Sequence, residues 1–163
     1  MSTHVPAPAA TTFPAGTRVA VVAARFNAHI VDELLAGCLR KLGQMGLNDA
    51  AIDVHRVPGA FELPVAAKLL AQTKQFGAVI CLGCVIRGDT PHFDYVAGEC
   101  ARGIQQVAIA ESLPVIFGVL TTNTEEQARA RTGGSHGHAG EWAAQAAAEM
   151  IDLAARVKTG VTR

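Results

Sequence analysis

The sequence predicts an α/β fold, a three-layer αβα sandwich built on a four-stranded parallel sheet. Four short apolar runs rich in β-branched residues, at 18–24, 52–57, 78–84 and 115–121, have the length and composition of buried parallel strands. Between them lie segments with apolar residues at helical spacing. A strand–helix–strand order with crossovers of that length calls for right-handed connections that lay helices on both faces of an open sheet. With 163 residues, half of them hydrophobic, the chain can bury roughly two thirds of its unfolded surface, which suits one domain, placed at 17–157.

Residues 1–16 are rich in Pro, Ala and Thr without periodicity and read as a mobile arm. After the first strand, Ile30, Leu34 and Cys38 with Val31, Leu35 and Leu42 mark a helix. After the second strand the loop Pro58-Gly59-Ala60-Phe61-Glu62 opens the next crossover. The third strand runs into Thr90-Pro91, read as N-cap and first helical residue, and Val96, Cys100, Ile104 and Val107 continue that helix. Beyond the fourth strand, Thr124-Glu125-Glu126-Gln127 has the form of a capping box starting a short helix to about Arg131. A Gly-rich hinge at 133–140, an Ala-rich helix at 141–156 and a tail at 158–163 complete the chain. The small residues of the last helix and of the one at 93–110 allow close packing, either between subunits or against the chain's own sheet.

Composition narrows the partners. Fourteen basic residues balance fourteen acidic ones, so no global positive field exists to hold a nucleic acid. No apolar run reaches the roughly 20 residues needed to span a bilayer, and the N-terminus lacks the pattern of a secretory signal, so a cytoplasmic location is expected. Cys81 and Cys84 spell C-x-x-C but lie inside a strand with side chains on opposite faces. They and Cys38 and Cys100 read as buried thiols rather than redox or zinc ligands. His136 and His138 have no second pair of ligands at metal-site spacing, so no metal is expected.

In open α/β sheets ligands bind beyond the carboxyl ends of the strands, which directs attention to the residues there. Phe26 and Phe61 can stack on a planar ligand or plug the core edge. Glu62 can accept hydrogen bonds from hydroxyls or ring N–H groups, or serve as a helix-dipole partner. The helix start at Asp89 and Thr90 offers backbone donors to an anion. There His92 either moves protons or merely fills the first turn. The helix dipole disfavours imidazolium and a bound phosphate favours it, so one side chain can pass protons both ways. Arg131 can fork onto a phosphate, a contact worth roughly 1.5–3 kcal/mol.

Four motifs, in order and at matching spacing, carry a family resemblance. They are Arg25-Phe26-Asn27, Val57-Pro58-Gly59-Ala60-Phe61-Glu62, Gly83 through Phe93 (GCVIRGDTPHF), and Pro114 through Thr121 (PVIFGVLT) with Glu126-Gln127-Ala128 and Arg131. The chain resembles lumazine synthase, the family of the penultimate step of riboflavin biosynthesis, over about residues 18–153. The resemblance implies a flavodoxin-like sheet order, 2-1-3-4. It implies a transferase that condenses 5-amino-6-(D-ribitylamino)uracil with 3,4-dihydroxy-2-butanone 4-phosphate to 6,7-dimethyl-8-ribityllumazine, phosphate and water, without cofactor or metal.

By position, the resemblance gives Phe26 the pyrimidine ring, the Ala60-Phe61-Glu62 loop the ribityl chain, and the Cys84-Val85-Ile86 backbone the pyrimidine edge. It assigns Asp89, Thr90 and Arg131 to the butanone phosphate and His92 to proton transfer. Family members form pentamers, in many bacteria closed into an icosahedral shell, and Phe117 and Arg131 would then reach a neighbour's site. The N-terminal arm would add an edge strand to a neighbour's sheet, and riboflavin synthase is a candidate partner. One departure stands out: where the family commonly has Gly-Asn-Lys-Gly, this chain has Gly137-His138-Ala139-Gly140, so a cation is missing or is supplied by His138, and phosphate binding is expected to weaken. The alternative is a shell-forming or flavin-binding paralogue without catalysis.

Overall fold

The computed structural model describes residue 11 and residues 13–160. Four parallel strands, β1 (Val19–Ala24), β2 (Ile52–Val57), β3 (Ala78–Ile86) and β4 (Val115–Thr122), form a sheet in the order β2-β1-β3-β4, as expected. The crossovers are α1 (Ala28–Gln44), α2 (Leu63–Gln72) and α3 (His92–Glu111). After β4 come α4 (Glu125–Arg129), a ribbon of β5 (Thr132–Gly134) and β6 (Gly137–His138), and α5 (Ala139–Thr159).

The alternation of strand side chains builds two cores, one on each face of the sheet. Val19, Val21 and Ala23 of β1 face Ile30, Leu34 and Cys38 of α1 and Ala144 and Ala147 of α5. Ala20 and Val22 face Leu63 and Ala67 of α2 and Cys100 and Ile104 of α3. Cys84 belongs to the first core and Cys81 to the second. Burial pushes the Cys84 thiol up to about 11 and that of Cys81 higher still, so both are held as inert thiols.

Five sequence expectations are corrected. β2 is an edge strand, and Val54 is 43% exposed rather than buried, because the helices cover the central strands first. β3 continues two residues past the expected end, since Val85 and Ile86 still pair with Thr121 and Thr122 of β4. α3 begins at His92, with Pro91 rather than Thr90 in the N-cap position and no side-chain cap. The Gly-rich segment is not a hinge but an antiparallel ribbon, Thr132 pairing with His138 and Gly134 with Gly137. α5 consequently starts at Ala139 and runs on to Thr159, where Gly160 in a left-handed conformation ends it. Of the expected arm, Phe13 packs against the first core; the edge strand proposed for residues further upstream lies outside the described residues.

α1 and α5 approach so closely that a Cβ on Gly140 would run into the Leu34 carbonyl oxygen. Backbone cannot yield as a side-chain tip does. Gly140→Ala is therefore expected to cost about 1–3 kcal/mol through overpacking, lowering the melting temperature by roughly 2–12 °C, as read by thermal denaturation. A melting temperature equal to the parent's would show that the two helices can separate freely.

Candidate active site

A cavity of about 850 Å³ opens at the carboxyl ends of β1, β2 and β3. Its floor is fixed by backbone bonds between adjacent strand ends: Arg25 N–H donates to the Val57 carbonyl at 2.8 Å and Phe26 N–H to the Pro58 carbonyl at 3.0 Å. Asn27 then adopts a left-handed conformation, φ 56°, which an Asn tolerates, and its Nδ2 donates to the Cys84 carbonyl at 2.9 Å. The turn that starts α1 is thereby tied across to β3.

This leaves Phe26 72% exposed and Phe61 56% exposed, both lining the cavity. Neither ring is buried as a plug over the core edge would be. Ala60 is buried beneath them. Glu62 turns one carboxylate oxygen back to accept the Gly59 N–H at 2.9 Å, which shapes the 3-10 turn Ala60–Glu62. Cys84, Val85 and Ile86 from the end of β3, and Gly88, Thr90, His92 and Phe93 beyond it, also line the cavity. His92 is exposed at the first position of α3 and shares the cavity with Phe26.

Nine of the twelve residues singled out from the sequence thus line one cavity, and three do not. Asp89 is exposed between Gly88 and Thr90, which do line it. Phe117 lies on β4, and Arg131 follows α4 with its Nη1 donating to the Gln127 carbonyl at 2.8 Å. Asn27 and Tyr95 line the cavity although sequence reasoning gave them no role. Signals existed for both, a left-handed-tolerant residue three positions after a strand and a hydroxyl three residues beyond His92 on a helix.

His138 is not among the residues that line the cavity. Its ring is seated where a Cβ on Gly37 of α1 would fall, and the residue is 9% exposed, with Nδ1 buried and unpartnered among the described residues. Burial lowers its pKa and Arg40 adds to that, against the opposing pull of Glu141 and Glu33. The folded protein therefore resists protonating a ring that the unfolded chain protonates near its ordinary value of about 6.5. Stability is expected to fall as pH drops through that value, and His138→Gln should flatten the dependence between about pH 7.5 and 5.5 in denaturant titrations. Parallel pH curves for parent and variant would show the ring titrating alike in both states.

Among the described residues, no group of three or more His, Cys, Asp or Glu side chains is placed to hold a metal ion, and no helix is long and apolar enough to cross a membrane. Residues 16–155 match the model of the 6,7-dimethyl-8-ribityllumazine synthase family. The chain is 51% identical over 140 residues to the 6,7-dimethyl-8-ribityllumazine synthase of Xanthomonas oryzae pv. oryzae (strain PXO99A), covering 86% of this chain and 91% of the relative. It is 49% identical over the same length and shares of each chain to the protein of that name from Xylella fastidiosa (strain 9a5c). An exposed aromatic, a helix-start histidine and a parallel sheet in the order β2-β1-β3-β4 accompany a match over most of the chain: it belongs to the 6,7-dimethyl-8-ribityllumazine synthase family.

Proposed function

We propose that this chain condenses 5-amino-6-(D-ribitylamino)uracil with 3,4-dihydroxy-2-butanone 4-phosphate, releasing 6,7-dimethyl-8-ribityllumazine, phosphate and water. The observation that carries the reading is that Phe26, His92 and the carboxyl end of β3, Cys84 to Ile86, line one cavity. A flat pyrimidine stacks on Phe26, its edge facing the backbone of Cys84, Val85 and Ile86, while its ribityl chain runs along Ala60, Phe61 and Glu62. The butanone phosphate occupies the helix-start side with Thr90.

Chemistry then needs little beyond proximity and proton movement. The pyrimidine 5-amino group attacks the ketone carbonyl and water leaves to give the imine. Removal of a carbon-bound proton expels phosphate, and the neighbouring amino nitrogen closes the ring with loss of a further water. His92, which lines the cavity, takes the proton released at one step and returns it at the next. Asp89 and Thr90 flank the phosphate. Phe117 and Arg131, outside this chain's own cavity, serve the cavity of a neighbour in a pentamer, the assembly that a closed icosahedral shell would use. A cytoplasmic site of action and riboflavin synthase as a downstream partner fit the same reading.

Purified protein mixed with both substrates and no added metal is expected to develop the absorbance of the lumazine. Tight riboflavin binding without turnover would overturn this reading in favour of a non-catalytic paralogue. Ala139, which leaves the phosphate without a cation from that position, supports only weaker phosphate binding.

A further inference from the structure

We infer that Arg87 is a positioning residue for the phosphate half of the reaction, tying the His92 turn to the end of α4 that carries Arg131. The inference rests on the function proposed above. Arg87 directly follows β3, and its backbone N–H extends the sheet ladder by donating to the Thr122 carbonyl at 2.9 Å. Its side chain folds back over the start of α3. Nη2 and Nη1 donate to the two oxygens of Asp94 at 2.8 and 3.3 Å, and Cζ lies 4.1 Å from the centre of the Phe93 ring. Those two residues follow His92 immediately. The loop 88–91 is consequently pinned at both ends by one residue.

The guanidinium has a third donor, and it points at the loop between β4 and α4. Nε donates to Asn123 Oδ1 at 3.2 Å, just past β4. The Asn123 N–H in turn donates to Gln127 Oε1 at 2.9 Å, and the Gln127 carbonyl accepts Arg131 Nη1 at 2.8 Å. A continuous run of contacts, Asp94 to Arg87 to Asn123 to Gln127 to Arg131, therefore joins α3 to α4. Arg87 itself does not line the cavity. A fork onto a carboxylate, a stack on a ring and a third bond on a separate element together need a planar group, and a lysine ammonium offers a point charge instead. The Asp94 carboxyl is held below its ordinary range by this fork, so the pair stays charged through the range in which an assay is run.

The test compares full-length parent, Arg87→Lys, Asp94→Asn and Asn123→Ala in steady-state kinetics with both substrates, alongside thermal melts. Arg87→Lys is expected to raise the KM for the butanone phosphate about tenfold and to lower kcat, while the KM for the ribitylaminouracil stays within about twofold. Asn123→Ala, which frees the α4 arm and spares the fork, should raise the butanone-phosphate KM with kcat unchanged. Arg87→Lys combined with Asp94→Asn should be no worse than the more impaired single variant, since both break the same contact. Constants within twofold of the parent, or equal losses for both substrates that track a fallen melting temperature, would overturn the inference. Should Arg87→Lys fail to fold, Asp94→Asn and Asn123→Ala carry the same comparison. A parent that makes no lumazine overturns the proposed function alone. Calorimetric binding of inorganic phosphate to parent and Arg87→Lys then decides positioning: weaker binding by the variant upholds it, equal binding overturns it.

Discussion

His92→Ala is expected to lower kcat by roughly ten- to a hundredfold while leaving the KM for the ribitylaminouracil close to the parent's. Positioned general acid–base catalysis contributes about 10²–10⁴-fold in enzymes. The expected loss lies at or below the bottom of that range because holding two reactants side by side in a cavity supplies much of the rate by itself. The geometry separates the two contributions. His92 stands at the start of α3, whereas Phe26 and the Ala60–Glu62 turn, to which the proposed mechanism gives the pyrimidine half, follow the ends of β1 and β2. Truncating the imidazole leaves those walls intact, so the loss should fall on kcat rather than on binding of that substrate. Steady-state rates from the lumazine absorbance check this, and a kcat within twofold of the parent would remove His92 from proton transfer.

The parts of this architecture that repeat locally are legible in the sequence. Strand runs such as Val19 to Ala24 and helix faces such as Ile30, Leu34 and Cys38 announce themselves by spacing, whereas the sheet order comes only with the family resemblance. The cavity residues are legible for the same reason: Phe26, Phe61 and His92 directly follow strands or loops whose exits all lie on one edge. What escapes is set by contacts distant in sequence. Seating of the His138 ring over Gly37 depends on α1 and the ribbon meeting in space, and no periodicity reports it. The ribbon itself replaced an expected hinge because Thr132 and His138 pair across a turn too short and Gly-rich to show strand alternation. The run from Asp94 through Arg87 to Asn123 links segments distant in sequence, and although Arg87 stands in the GCVIRGDTPHF motif, nothing in the sequence names its partners.

Arg131→Ala is expected to lower kcat/KM for the butanone phosphate by roughly 10- to 150-fold, the equivalent of losing a charge-assisted contact of about 1.5–3 kcal/mol. The structure sharpens this into a test of where that contact is made. Arg131 lies outside the cavity that its own His92 lines, held by the Gln127 carbonyl at 2.8 Å. If a neighbour's cavity receives Arg131, a site needs His92 from one subunit and Arg131 from another. His92→Ala and Arg131→Ala, each impaired alone, should then complement when unfolded together and co-refolded, because some mixed interfaces pair an intact His92 with an intact Arg131. Refolding each variant alone should restore nothing. Mixed assemblies no more active than the average of the two variants, with subunit exchange verified by a tag on one of them, would place both residues in the site of a single subunit. That outcome would remove the shared site from the proposed mechanism while leaving the His92 prediction standing.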